Sequence, residues 1–274
     1  MSEINLFNEV LKDNISGSVA LLNQIKEKLR TYLNSSASPD TKMVTKDLKQ
    51  AAEELKNFAV IIHFSYHFLK YAQTNPSVNS LLKFLDQYEK QWSLNSLIQD
   101  FNQEISLRDK AVLLHSNSST IQEVLSQYAG NKSGLRIIQT YSSPSGEGLI
   151  QGRELSANGF DVVLIHENNV WSWSETIDIF LFGADRLEKN RFMNKSGTAQ
   201  LCLLARNVEQ PVYIVADPRK VIKKEFYDFL DINMPDRIPE TPPGELTRNP
   251  YPGLTVRNQD FEWIPIELVT HVYS

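Results

Sequence analysis

The spacing of apolar residues along this chain changes once, near residue 106, and that change constrains the fold more than any other feature of the sequence. Before it, apolar side chains recur at three- and four-residue intervals, as in Leu22, Ile25 and Leu29, then Leu48, Leu55 and Ala59, then Leu81, Phe84 and Leu85, the period of a helix with one buried face. Breakers at Asn34–Pro39 and Asn75-Pro76 divide this stretch into about three helices. The most apolar run, Phe58 to Phe68, is expected at their buried centre. After residue 106, short β-rich runs alternate with amphipathic segments. Strands are expected at Ala111–His115, Arg136–Tyr141, Asp161–His166, Ile177–Gly183 and Pro211–Ala216, and helices at Thr120–Tyr128, Gly148–Ala157 and Thr198–Asn207. Near-continuous apolar strands separated by helices specify a mostly parallel sheet covered on both faces. The expected fold class is therefore α/β: a helical domain over 1–105, then a Rossmann-like domain over 106–274. Six of the twelve prolines fall between Pro235 and Pro252, which predicts an irregular Pro-rich arm at 235–252. The apolar tail Phe261–Thr270 is expected to dock on the domain.

Composition limits the function. With 28 Lys+Arg against 33 Asp+Glu the formal net charge is −5, so no general positive field exists to hold a nucleic-acid backbone. A single cysteine, Cys202, cannot close an internal disulfide, and its apolar neighbours mark it as a core residue. The N-terminus lacks the pattern of a secretory signal and no apolar run reaches the roughly 18 residues of a membrane span. The expectation is a cytoplasmic protein with no nucleic-acid or membrane partner.

In an open parallel sheet, ligands bind beyond the carboxyl ends of the strands, near helix N-termini. Three polar segments are expected there. His115-Ser116-Asn117-Ser118-Ser119-Thr120 leads into a helix, with Thr120 and Glu123 spaced as a capping box; a capped helix alone accounts equally well for it. Tyr141-Ser142-Ser143-Pro144-Ser145-Gly146-Glu147-Gly148 follows a strand without the spacing of a nucleotide loop, and is also ordinary turn material. Gly183-Ala184-Asp185 and Asn194-Lys195-Ser196-Gly197-Thr198 carry the most information. There a glycine turn is expected to present Asp185 to Lys195 beside the free N–H groups of a helix, an arrangement suited to acid/base chemistry on a phosphorylated ligand or to a structural ion pair. His63 and His67 have the i, i+4 spacing of a metal pair but neither the H-E-x-x-H glutamate nor a third ligand, so no metal is expected. Trp171 and Trp173 either cover a ligand or pack a short connection.

Taken together, in order and spacing, these segments resemble the translation initiation factor 2B alpha/beta/delta family, which includes isomerases of ribose 1,5-bisphosphate and of methylthioribose 1-phosphate. The likeness continues through Pro211–Ala216 and Phe261–Thr270, and Asp13–Ser18 is similar to an N-terminal turn of these proteins. The resemblance implies a helical domain, a Rossmann-like domain, a cleft between them and homodimers through the C-terminal domain, with no cofactor. It also implies Asp185 as the acid/base group, with Ser116 and Glu147 at the positions of further catalytic and ligand-binding groups, and His115, Asn117, Ser118, Gly148, Gly183, Asn194 and Lys195 around the ligand. The departures bear on chemistry. Ser116 stands where the isomerases have a cysteine, Ser143 where they have an arginine, and Glu147 where they have a glutamine; Ser16 replaces an arginine of one branch. A serine hydroxyl exchanges protons poorly at neutral pH without an adjacent base, and each lost arginine–phosphate contact removes roughly 1.5–3 kcal/mol.

The reading that follows is a non-isomerase regulatory or scaffold protein with a vestigial cleft for a small metabolite or sugar phosphate. The alternative is a sugar-phosphate isomerase-like enzyme of changed specificity using Asp185 as acid/base with Glu147. A third is an interaction protein whose Pro-rich arm reaches a partner.

Overall fold

The first 105 residues form six helices among the described residues rather than three: α1 (Asn8–Leu11), α2 (Ser18–Ser35), α3 (Thr41–Glu54), α4 (Ala59–Thr74), α5 (Val78–Gln91) and α6 (Asn95–Glu104). The break between α3 and α4 is invisible in the apolar spacing because Leu48, Leu55 and Ala59 keep helical intervals through it. The backbone nevertheless leaves the helix, with Phe58 extended at φ −94 and ψ 99. Capping fixes two of the starts. Asp40 accepts from the N–H groups of Lys42 and Met43, and Ser77 from that of Ser80, satisfying donors that a helix leaves free.

This computed structural model describes residues 5–13, 17–35, 39–128, 134–233 and 253–274. The expected Pro-rich arm at 235–252, and residues 14–16 of the turn around Ser16, lie outside the described residues. Two compact units emerge, Met1–Ser93 with Pro218–Asp236, and Leu94–Asp217 with Arg237–Ser274. Each has its own hydrophobic core.

In the first unit α4 is the central element. Its residues Ala59 to Tyr66 are all buried, and it packs against α2, α3 and α5, as the apolar run predicts. His63 and His67 belong to this core. The His63 ring is 2% exposed, lies 2.8 Å from the Tyr88 hydroxyl through Nδ1, and has the His67 and Trp92 rings at 4.4 Å. Burial, with the nearby His67 and Arg219, pulls its pKa down to about 3, so it is a neutral packing residue.

From Leu94 onward the second unit runs β1 (Ala111–Leu114), α7 (Ser119–Gln127), β2 (Arg136–Thr140), α8 (Glu147–Ala157), β3 (Asp161–Ile165), α9 (Val170–Trp173), β4 (Ile179–Phe182), β5 (Arg186–Leu187), β6 (Arg191–Lys195), α10 (Thr198–Asn207), β7 (Val212–Val215), then α11 (Lys224–Leu230) in the first unit, and finally β8 (Phe261–Pro265) and β9 (His271–Tyr273). The main sheet has the order β3-β2-β1-β4-β7-β9 and is parallel throughout. All five expected strands are in it. The chain reverses its winding between β1 and β4, which places a topological switch point there. A second, antiparallel sheet β5-β6-β8 pairs Lys195 with Phe261 and Asn194 with Glu262. The tail is therefore docked twice, through β8 on β6 and β9 on β7. Cys202 is buried on α10, and burial pushes its thiol up to about 12. Trp171 is 65% exposed, so it does not pack its connection onto the sheet; Trp173 is half-buried.

Candidate functional site

The loops after β1 and β2, the start of α8, the end of β6 and the start of β8 meet at the carboxyl end of the main sheet. His115 follows β1 and is 2% exposed. Its Nε2 lies 3.0 Å from the Ser196 carbonyl and its Nδ1 2.7 Å from the Thr140 hydroxyl. A carbonyl only accepts, so Nε2 carries the proton and Nδ1 accepts from Thr140. Burial, only partly opposed by the Ser196 carbonyl, holds the ring pKa below its usual value, consistent with a neutral imidazole that ties β1 to the β6–α10 connection.

Ser116 sits in the left-handed region at φ 70. Its N–H donates to Ser142 Oγ at 2.8 Å and its hydroxyl donates to Glu147 Oε1 at 2.6 Å. Glu147 opens α8, where the helix end favours a negative charge. Its second oxygen accepts from Lys195 Nζ at 3.1 Å and from the Ser145 hydroxyl, while Lys195 also donates to Ser145 Oγ at 2.6 Å. Burial pushes the Glu147 carboxyl up, but the Lys195 ammonium and the hydrogen bonds from Ser116, Ser145 and Lys195 together outweigh it and leave the group below the usual carboxylate range. Gly148 has to be glycine: a Cβ there would lie 1.9 Å from the Thr140 carbonyl oxygen.

Lys195 is 2% exposed, and its carboxylate neighbours among the described residues are Glu147 and Asp260, the latter at 3.7 Å. The expected partner, Asp185, is not one of them. Alternation along β6 explains this: Asn194 turns one way to reach Thr198 Oγ1 at 3.0 Å, and Lys195 turns the other way to Glu147. Asp185 is half-buried just before β5, its N–H donating to the Met193 carbonyl at 2.8 Å. Gly183 is favoured by close approach rather than by a turn: a Cβ would come 2.4 Å from Ser118 Oγ and 3.0 Å from Ser118 Cβ, displacing the hydroxyl that caps α7.

Other expectations are redistributed. Ser118, not Thr120, caps α7, accepting from the Ile121 N–H, and its own N–H donates to Gln151 Oε1 at 2.7 Å. Asn117 is exposed and accepts from Gln122 Nε2 at 2.9 Å. The N–H groups at the start of α10 are not free: Glu262 Oε1 accepts from Gly197 N at 2.9 Å and Ala199 N at 2.8 Å.

A family profile decides what this arrangement belongs to: that of the initiation factor 2 subunit family matches residues 2–274. The chain belongs to the initiation factor 2 subunit family. Ribose 1,5-bisphosphate isomerase of Archaeoglobus fulgidus is 28% identical over 159 residues, 58% of this chain and 50% of that protein. The chain spans about half the length of this protein and of the ribose 1,5-bisphosphate isomerase of Methanocaldococcus jannaschii, which it matches at 28% identity. Among solved structures, translation initiation factor eIF-2B of Pyrococcus horikoshii superposes with a TM-score of 0.74 at 21% identity, covering 98% of this chain and 93% of that one. The 5-methylthioribose 1-phosphate isomerase of the same organism gives 0.74 at 19% identity, covering 98% and 82%. These likenesses show the fold.

Within this family fold, four acidic or hydroxyl groups of the site were not singled out by sequence: Ser145, Glu167, Asp260 and Glu262. Glu167 accepts from the N–H of Ser142 and, at 3.1 Å, from that of Ser143, and so holds the β2 loop. Its signal was available, because it follows the end of β3 as His115 follows β1. Asp260 and Glu262 had none, since they reach the site only through the pairing of β8 with β6.

Proposed function

We propose that this chain is a non-isomerase member of its family, a regulatory or scaffold protein whose site takes a small metabolite that is uncharged or singly charged. The observation that carries the reading is Glu147 Oε2 at 3.1 Å from Lys195 Nζ. The ammonium that would hold a phosphate is already neutralised by the chain, and Glu262 occupies the α10 N-terminus in the same way. A phosphate dianion placed against Lys195 would face the Glu147 carboxylate at close range. Like charges about 4 Å apart repel by roughly 4 kcal/mol at the effective dielectric of a protein surface, about three orders of magnitude in affinity. Ser116 does have a neighbouring base, yet a carboxylate held below its usual pKa is a weak acceptor for a hydroxyl proton.

The test is to incubate the purified chain with ribose 1,5-bisphosphate and with 5-methylthioribose 1-phosphate and follow conversion by NMR, then to titrate both against wild type and Glu147→Gln. The expected result is no isomerisation by wild type and at least tenfold tighter phosphate-ester binding by E147Q. Turnover at enzyme-like rates, or equal binding by the two proteins, overturns the reading.

We also infer a homodimer through the α/β unit, supported by the exposure of three large apolar side chains there, Ile150 of α8, Leu164 of β3 and Trp171 of α9, at 52%, 41% and 65%. A structure of the same fold is a tetrameric complex, eIF2B-beta2-delta2 of C. thermophilum, with a TM-score of 0.65. Sedimentation velocity is expected to give a dimer that Leu164→Arg with Trp171→Arg dissociates; a wild-type monomer at micromolar concentration would rule it out.

A further inference from the structure

We propose that a groove in the helical unit, between α3 and α4, is a docking site for an acidic amphipathic helix of a partner protein. The groove has a volume of about 480 Å³. Its floor is apolar: Leu69 of α4 and Leu81 of α5 lie in it at 2% and 1% exposure, Ala72 and Pro76 flank them, and Phe229 of α11 closes one end. One rim is cationic. Lys42, Lys46 and Lys49 project from α3 at i, i+4 and i+7 with Thr45 between them, while Val44, Leu48 and Ala51 on the other side of the same helix go into the core.

Charge complementarity specifies the occupant. Lys42 and Lys49 have no carboxylate within ion-pair reach among the described residues, whereas Lys28, Lys56 and Lys224 of the same unit meet Glu9, Glu53 and Asp228. The acids nearest in sequence are engaged elsewhere: Asp40 caps α3, Asp47 accepts from the Leu6 N–H, Glu53 pairs with Lys56 and Glu54 accepts from Gln50. Lys42 and Lys49, open at the two ends of a cationic rim over an apolar floor, are matched by a helix that presents large apolar residues to the floor and carboxylates to the rim. The row spans seven residues of α3, about 10 Å at 1.5 Å per residue, so the partner carboxylates should repeat over two helical turns. Groove volumes of this size hold two or three large side chains, which suits apolar anchors at i, i+3 and i+7.

The test uses the full chain and a fluorescein-labelled, helix-forming 18-residue peptide with leucines on one face and glutamates flanking them, read by anisotropy. Three comparisons accompany it: the same peptide with lysine for glutamate, phosphatidylserine vesicles, and inorganic phosphate as competitor. The expected result is saturable binding of the acidic peptide, weakened at least tenfold by Lys42→Glu with Lys49→Glu and by Thr45→Trp, which fills the groove without changing charge. Thermal melts of the variants establish that they fold, and Lys42→Gln with Lys49→Gln should give an intermediate loss. Equal binding of the lysine peptide, equal binding by T45W, no peptide binding, or variant-sensitive binding of vesicles or phosphate in place of peptide would each overturn the proposal.

Discussion

Replacing Lys195 by methionine is expected to destabilise the α/β unit by about 2–4 kcal/mol at pH 7. Methionine matches the lysine stem in volume, so the loss is electrostatic. The Lys195 side chain is 2% exposed, and Glu147 and Asp260 beside it are 24% and 23% exposed. Removing one partner of a buried pair costs about 3–5 kcal/mol because the other is left as an uncompensated charge; the partial exposure of the two carboxylates trims that figure. The pH dependence identifies the cause. In the native chain the depressed Glu147 pKa contributes stability that is present above the ordinary carboxylate value of 4.5 and lost as pH falls through its lower folded pKa. Without the ammonium, burial dominates and the carboxyl moves up, so the penalty of K195M is largest at neutral pH and shrinks as the group protonates. Urea unfolding at pH 7 and pH 4.5 measures both. Adding Glu147→Gln to K195M should restore more than half of the loss at pH 7, and a single-variant loss below 1 kcal/mol would show that the ammonium does not hold the site together.

Lowering the pH from 6.5 toward 3 is expected to remove about 5 kcal/mol from the helical unit through His63 alone. The group is buried at a pKa of about 3 against 6.5 for a free imidazole. Between those values the unfolded chain binds a proton that the folded chain refuses, so stability is full above 6.5 and declines by about 1.4 kcal/mol per pH unit below it. His67 acts in the same direction, its pKa lowered by burial and then by Lys70. Following the helical signal during urea unfolding at pH 7.5, 6 and 5 gives the slope, and His63→Phe, which keeps the ring packing against Trp92 and Phe226, should flatten it. A wild-type slope no steeper than that of H63F would mean that the imidazole is solvated.

Much of the fold was legible in the chain. The strands of the parallel sheet announced themselves because strands buried on both faces must be apolar nearly throughout, as Ala111–Leu114 and Ile179–Phe182 are. The helix break at Leu55–Phe58 did not, because apolar spacing persists across it. The short strands Arg186–Leu187 and Arg191–Lys195 were equally silent, since Arg186, Asn194 and Lys195 are buried polar residues and hydrophobic periodicity cannot register them.

The site divides along the same line. By itself the sequence determined which segments stand at the carboxyl end of the sheet, since His115, Ser116 and Glu147 directly follow apolar strands or open helices, and chain order fixes where those ends lie. It also showed serine at 116 and 143 and glutamate at 147, so that those loops offer hydroxyls and a carboxylate rather than a thiol or a guanidinium. Only the tertiary structure decided who pairs with whom. Lys195 meets Glu147 and Asp260 instead of Asp185, and Glu262 rather than a ligand takes the N–H groups of α10. Those pairings depend on strand register and on side-chain alternation across β6 and β8, between residues some fifty to seventy positions apart, and local spacing carries no information about a contact made at that distance along the chain.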